Sequence, residues 1–495
     1  MTRTYSASRL LLALLVPALS GAQALTNVTS VYVGYISRKN TTKLDAELKA
    51  RLDTVEAAVT AATKLGRMGE VRRQYAKGNV LLAGRPWTDA ADYNASLLLR
   101  TDRVIVESQK PWSVRIEQLY APAIDLTRSL QAHATLMMRG AGAGQPAKVV
   151  KDFGVVEGVS RDLRENPELI DLDLHDVADG RYVVNVEILD SARVLGSTAL
   201  GISVRKGIDS VTAALERDAA GAPVALRAAI LFPVDRMRMV NRGVLELRTF
   251  DADKDIAAAQ AIAAAARGGK DPYAGKTGDI KRYYTLDAAK EVMPYHTLVP
   301  SSYTAARAYP LLIMLHGLGG TEDAFFDSYG RKLPELAEQR GYILAAPLGY
   351  RVDGFYGWGI GAPPSDPSQR RLFSLSEADV MEVVTRMRAL YNIDPKRIYL
   401  AGHSMGAIGA WRMGPKFADL WASVGAFSGQ GSAESAERMK AIPQFVVHGD
   451  TDPTVNVSGS RNMVAAMKRL NMDVKYIEVP GGNHSSVVEP NFSAM

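Results

Sequence analysis

Leu44, Leu48, Leu52, Val55 and Val59 recur at three- and four-residue steps, which predicts an amphipathic helix over residues 42–66 with Gly66 as its stop. A helical pattern continues to about Met138, through "DAADYNASLLLRTDRVIVES" and "SVRIEQLYAPAIDLTRSLQAHATLMM", and "GAGAGQP" (140–146) reads as a linker. The period then changes from near four to two. Tyr182, Val184, Val186 and Ile188 alternate with other residues, as in a half-buried strand, and a small antiparallel β-module is expected over 148–206. Helix returns from 207 and ends in the alanine-rich "DIAAAQAIAAAARGG", and "GGKDPYAGKTGD" (268–279) reads as a linker between domains.

From residue 280 onward short apolar runs alternate with helical stretches. "KRYYTL" and "EVMPYHTLV" predict an opening pair of strands, and "YPLLIMLHG" is continuously apolar, as a strand covered on both faces requires. Helices near 330–340, 376–391, 405–417, 432–440 and 458–471 alternate with strands at "YILAAPLG", 397–402, "WASVGAFSG", "QFVVHGD" and "VKYIEVPG". That alternation predicts an α/β fold with a doubly wound, mostly parallel sheet over 280–495. A helix-rich region (25–147) and the β-module with its following helices (148–267) precede it.

The first 24 residues have a different pattern. Arg3 and Arg9 precede the apolar run Leu10 to Leu19, which Pro17 interrupts, and Ala22-Gln23-Ala24 follows. This arrangement predicts a secretory signal peptide and a periplasmic or secreted, soluble mature chain. With no cysteine anywhere, disulfides, thiolate metal sites and a cysteine nucleophile are excluded. The net charge of +6 falls to +1 from Ile280 onward, where 22 Lys and Arg stand against 21 Asp and Glu. No dense basic stripe interleaved with aromatics occurs, so nucleic acid is not an expected partner. The linker's "GKDPYAGKT" imitates a phosphate-binding loop, but Lys270 stands where that motif needs glycine, and a helix rather than a strand precedes it.

The chemistry concentrates at "RIYLAGHSMGAIGAW" (397–411). Ser404 lies between Gly402 and Gly406 at a strand-to-helix junction, the G-x-S-x-G turn that lifts a serine hydroxyl clear of a sheet. A serine needs a base, and His484 in "VPGGNHSSVV" is the candidate, on a loop after the last expected strand. The imidazole needs a carboxylate, for which "FVVHGDTDPTV" offers Asp452, with Asp450 as the less favoured choice. His403 reads as structural or pocket-lining, and His133 and His175 are assigned no role. "LHGLGG" (315–320) follows an early strand, so the oxyanion donors are expected to be the N–H groups of Met405 and Leu318, with Gly317 as the alternative to Leu318. Tyr356 and Trp358, on the loop 349–367, either wall a substrate pocket or pack that loop onto the body. No cofactor or metal is required.

Taken together, "LLIMLHGLGG", "YNIDPKRIYLAGHSMGAIGAW", "HGDTDPTV" and "GGNH" make residues 280–495 resemble the α/β-hydrolase superfamily. The nearest resemblance is to secreted serine esterases of the polyhydroxybutyrate-depolymerase and feruloyl-esterase type, and to related prolyl-oligopeptidase-like peptidases. The resemblance implies Ser404 as nucleophile, Asp452 as triad acid, and a small-molecule or polymeric ester as substrate. A peptidase on the same fold and an inactive hydrolase-fold binding protein are the alternatives. "HGLGG" stands where many depolymerases carry a cysteine-containing loop, a departure from that branch. Residues 25–279 carry no resemblance.

Overall fold

The computed structural model describes residues 31–32, 34–36, 38–39, 41–138, 147–247 and 250–495. The expected signal peptide lies outside them. The chain divides into two compact units: residues up to Arg217 with Pro233–Asp255, and Asp218–Phe232 with Ile256–Met495.

In the first unit the predicted helix forms over Ala46–Lys64 and buries Leu52, Val55, Val59 and Ala62. It starts where Asp45 accepts the Leu48 N–H at 2.8 Å, which satisfies one of the orphan donors of the first turn. The next helices, Met68–Leu82 and Asp89–Ser96, also keep to the expected type. Beyond them the expectation of helix to Met138 fails. Residues Leu97–Arg100, Ile105–Glu107, Ser113–Gln118 and Leu130–Met138 are strands.

The reason lies in pairing partners far along the chain. Leu130–Met138 runs between Lys148–Val159 and Gly180–Asp190 and is antiparallel to both. Its Leu130, Ala132, Ala134 and Leu136 fall on one buried face at two-residue steps. Such packing overrides the helix propensity of "LQAHATLMM". The β-module is therefore larger than residues 148–206. One five-stranded sheet takes strands from both sides of 140–146, and Leu97–Arg100, Ser113–Gln118 and Glu168–Asp171 form a second, three-stranded sheet. Residues 140–146, expected as a linker, lie outside the described residues, but the strands that flank them pair with each other, so no domain boundary falls there.

In the second unit eight strands form one sheet: β1 (Gly278–Leu286), β2 (Glu291–Val299), β3 (Tyr309–Leu315), β4 (Ile343–Pro347), β5 (Ile393–His403), β6 (Ser423–Phe427), β7 (Gln444–Gly449) and β8 (Val474–Val479). Their order is β8-β7-β6-β5-β3-β4-β2-β1. β1 and β2 form an antiparallel hairpin, β2 is antiparallel to β4, and every other pairing is parallel. This is the doubly wound arrangement expected. Four helices matter to the site: α1 (Lys332–Arg340), α2 (Pro367–Leu390), α3 (Met405–Lys416) and α4 (Ser458–Arg469). α2 begins nine residues before its expected start, because Asp366 caps the Ser368 and Gln369 N–H groups and Pro367 occupies the first helical position.

Most of the stretch 268–279 is exposed, and Tyr273 ties it to the body. Tyr273 is half-buried against the core, with the Arg282 guanidinium 4.7 Å from its ring centre. It leads from a helix into a strand, the reverse of a phosphate-binding loop.

Leu136 is fully buried in the five-stranded sheet and Val155 is half exposed on its edge strand. Leu136→Ala is expected to destabilise by about 2–5 kcal/mol, and Val155→Ala by about 0.5 kcal/mol or less. Urea unfolding of the whole chain checks the contrast.

Candidate active site

The chain leaves β3 to one side of the sheet and β5 to the other, so a crevice opens between their carboxyl ends. Two loops meet there: 315–320 after β3, and the turn at residues 402–406 between β5 and α3. The turn is crowded. A methyl group at Gly402 would lie 2.3 Å from the Gly406 carbonyl carbon, and one at Gly406 would lie 1.9 Å from the Leu315 carbonyl oxygen. Only glycine fits either position. Ser404 itself adopts φ 57°, ψ −116°, a left-handed conformation that costs an L-residue about 1–3 kcal/mol. Its N–H donates to the Phe427 carbonyl at 2.9 Å, which ties the strained residue to β6.

From this turn the Ser404 O–H donates to His484 Nε2 at 2.8 Å, and His484 Nδ1–H donates to Asp452 Oδ2 at 2.7 Å. The structure thus brings the three expected side chains into one hydrogen-bonded line. Asp452 Oδ1 accepts the N–H groups of Thr454 (2.8 Å) and Val455 (3.0 Å). Burial pushes the Asp452 carboxyl up, but the His484 and backbone donors outweigh it and hold the group below the usual carboxylate range. Asp450 does other work: it accepts the Gly481 N–H at 2.7 Å and caps the loop that carries His484. Thr451 also binds that loop, through its N–H and its O–H to the Gly482 carbonyl.

His403 has a more definite task than its sequence suggested. Its Nε2–H donates to the His484 carbonyl at 2.9 Å, and its Nδ1 accepts the Tyr329 O–H at 3.1 Å. The Ser428 O–H donates to the same His484 carbonyl at 2.9 Å. Burial pushes His403 down to about 4, so its ring stays neutral at physiological pH and this tautomer persists. Tyr329 and Ser428 had no signal in the sequence, because nothing local announces a contact with a ring nitrogen or a backbone carbonyl more than fifty residues away.

The oxyanion loop is oriented by its carbonyls. The Gly317 carbonyl accepts the Gly320 N–H at 3.0 Å and lies 2.8 Å from His316 Nδ1. In a trans peptide the next N–H points the opposite way, so the Leu318 N–H is turned outward. Among the described residues neither that N–H nor the Met405 N–H, at the first position of α3, has a protein acceptor. Gly317 lies against the nucleophile, since a methyl group there would be 3.4 Å from Ser404 Cβ.

Tyr356 is not a pocket wall. It is fully buried, it packs on Gly409 of α3, and its O–H donates to the His316 carbonyl at 3.1 Å. Its ring fills the space that a loop without a regular element would otherwise leave empty. Trp358 is partly buried under Lys416, whose Nζ lies 4.5 Å from the ring centre. The exposed apolar side chain on the oxyanion loop is that of Leu318, at 56%. Among the described residues no cluster of His, Asp or Glu could hold a metal ion, and no helix is long and apolar enough to cross a membrane.

One ion network anchors the segment directly after the oxyanion loop. His296 on β2 faces Asp323 through Nδ1 (2.8 Å) and Asp279 of β1 through Nε2, with the Phe326 ring stacked 3.7 Å away. Lys281 Nζ reaches Glu322 and Asp323, each at 2.7 Å, and Arg331 reaches Asp279 at 2.9 Å. Burial opposes the charged ring, but the two carboxylates prevail and raise His296 above its ordinary value. A raised histidine stabilises the fold fully below its unfolded value of about 6.5 and loses that contribution as pH climbs through the folded value. The unfolding midpoint of the chain is therefore expected to fall as pH rises from about 6 into the alkaline range. His296→Gln should flatten that slope, as thermal unfolding across pH will read.

Part of the chain is similar to known proteins. Residues 288–462 match the model of the Esterase family, described as "Putative esterase". The chain is 27% identical to a bifunctional acetylxylan esterase/xylanase of Neocallimastix patriciarum over 32% of its own length and 22% of that protein's. It is 29% identical to feruloyl esterase B of Neurospora crassa over 30% of its length and 48% of that protein's. The match thus spans less than half the length of either relative. A solved ferulic acid esterase of Anaeromyces mucronatus is 21% identical, covering 45% of this chain and 90% of that one, with a TM-score of 0.37. Residues 288–462, a stretch shorter than half of the chain that takes in most of the mostly parallel sheet, are thus similar to the Esterase family model.

Proposed function

We propose that the chain is a serine carboxylic ester hydrolase. The observation that carries this reading is the unbroken line from Ser404 through His484 to Asp452, set on a strained turn beside outward-facing N–H groups. Ser404 Oγ attacks the ester carbonyl carbon while His484 Nε2 takes its proton. Asp452 holds the ring in the tautomer that leaves Nε2 free and balances the imidazolium that forms. The Leu318 and Met405 N–H groups receive the developing oxyanion. His484 then returns the proton to the departing alcohol, and water repeats the sequence on the acyl-enzyme. No metal is needed for any of these steps. The relatives' names favour acetyl or hydroxycinnamoyl esters of plant polysaccharides as substrates, with the exposed Leu318 side chain beside the acyl group. We further propose that the chain is exported, with cleavage after Ala24, so that the mature N-terminus read by sequencing of exported protein is Leu25.

Ser404→Ala is expected to lower kcat/KM toward an aryl acetate and a feruloyl ester by about 10³-fold or more, and to abolish labelling by a fluorophosphonate. Asp452→Asn should cost about 10³–10⁴-fold with unchanged folding. Hydrolysis of aminoacyl nitroanilides without hydrolysis of either ester would replace the esterase reading with a peptidase. Absence of both activities and of labelling would leave a binding protein.

A further inference from the structure

A guanidinium without a counter-ion lies on the helix that the nucleophile heads. Ser404, Ile408 and Arg412 recur at four-residue steps, so they share one face of α3, and all three are half-buried. Arg412 stands about 12 Å along the axis from Ser404, and a long side chain on a helix leans back toward the helix start. The contacts agree with that lean. The carbon stem packs on Gly359, where a methyl group would meet Arg412 Cγ at 3.4 Å, whereas Nη1 reaches an earlier part of the loop 349–367 and donates to the carbonyls of Phe355 (3.3 Å) and Gly357 (2.7 Å). That earlier part is tied to the site. The Val352 carbonyl accepts the Gly319 N–H of the oxyanion loop at 2.9 Å, and the Tyr356 O–H reaches the His316 carbonyl. Phe355 and Tyr356 both hold a left-handed φ, 52° and 54°, which L-residues keep only where their surroundings impose it. Here Ser376 Oγ accepts the Tyr356 N–H at 3.0 Å, and Arg412 takes the Phe355 carbonyl.

Nη1 is thus occupied. Among the described residues no polar group reaches Nε or Nη2 of Arg412, and neither nitrogen is sealed in the interior. These two nitrogens form one edge of the guanidinium, and elsewhere in this chain the same edge grips a carboxylate. Arg73 donates to Asp92 through Nε and Nη2 at 2.8 and 2.7 Å, and Arg461 donates to Glu478 in the same way at 2.9 and 2.5 Å. No carboxylate stands opposite Arg412. Glu377, on the facing helix α2, is paired with Lys416 at 2.7 Å. Phe355 and Phe373 flank the cation, with Cζ 5.5 and 5.7 Å from their ring centres. Burial without an opposing charge pushes Arg412 down to about 10, so it is still charged at neutral pH and its desolvation is not offset within the chain. We propose that Arg412 is a specificity-determining residue, whose Nε–Nη2 edge takes the carboxylate of an ester that carries a second, ionised acid group away from the scissile bond. Such a carboxylate forms two charge-assisted bonds and supplies the missing counter-ion, which a neutral ester cannot do.

This inference deepens the proposed ester-hydrolase reading and rests on it, but the two fail separately. Two series of substrates are compared on the full chain. Aryl hemiesters of dicarboxylic acids, from succinate to suberate, put the carboxylate on the acyl part, and acetates of ω-hydroxy acids put it on the alcohol part. Each is matched with a neutral ester of the same length. In one series, at one length, kcat/KM is expected to favour the anion by about tenfold or more. Arg412→Gln should erase that preference, and Arg412→Lys, which keeps the charge without the fork, should retain part of it. A side chain that only clamps the loop would lower both members of each pair alike, so an unchanged ratio in Arg412→Gln overturns the proposal. So does a wild-type chain that prefers the anion in neither series, a result that needs no folded variant. Binding of the same pairs to the Ser404→Ala chain, read by calorimetry, repeats the comparison without turnover. A preferred anion in a chain that cleaves no ester would sink the hydrolase reading and leave this one standing. An ester-cleaving chain indifferent to charge would do the reverse.

Discussion

The arrangement depends on how closely two pieces of backbone approach between β3 and β5. The Leu315 carbonyl sits where any side chain at residue 406 would have to go, and Gly402 and Gly406 face each other at a distance that admits no methyl group. That approach lets α3 begin directly after the nucleophile and leaves Ser404 in its left-handed conformation above the sheet. It also brings Gly317 against Ser404 Cβ, so nucleophile and oxyanion loop are placed by one contact. Relaxing the crowding would loosen both, leaving the Ser404 N–H bond to the Phe427 carbonyl to hold the strained residue.

Around this turn the supporting groups act mainly on backbone. His403 and Ser428 hold the carbonyl of His484, Asp450 and Thr451 fasten the loop on either side of it, and Tyr356 holds the carbonyl of His316. The side chains that face the reacting atoms are thereby oriented without competitors for their own polar atoms. Asp452 is the exception, since it receives three donors directly, and it is also the group whose charge must persist in a sealed site.

The sequence made the second unit legible because its signals are local. A buried parallel strand is apolar throughout, a helix repeats near every fourth residue, and a turn that tolerates only glycine writes glycine into the chain. Ser404, Asp452 and His484 each follow a strand, so their meeting at one sheet edge could be anticipated. The first unit was less legible for the converse reason. The strand at Leu130–Met138 is specified by two partners, one of them some fifty residues later, and its own composition favours a helix. Tyr356 was ambiguous in the same way: an aromatic on a loop looks identical in sequence whether it lines a cleft or fills a core. His296 carried no local mark, since its importance comes from carboxylates contributed by other segments.

The two halves of the site are held by different kinds of bond. Asp452 and His484 are joined by short contacts within the fold's interior, whereas the stretch beyond the oxyanion loop is secured by His296, Lys281 and Arg331, the last of them half open to solvent. Dissolved ions screen an open pair far more than a buried one. Ionic strength therefore loosens chiefly the Arg331–Asp279 tie, while the buried contacts of His296, Lys281 and Asp452 are screened little, so the salt content of the surroundings bears on the outermost strut of this network rather than on the proton-transfer pair.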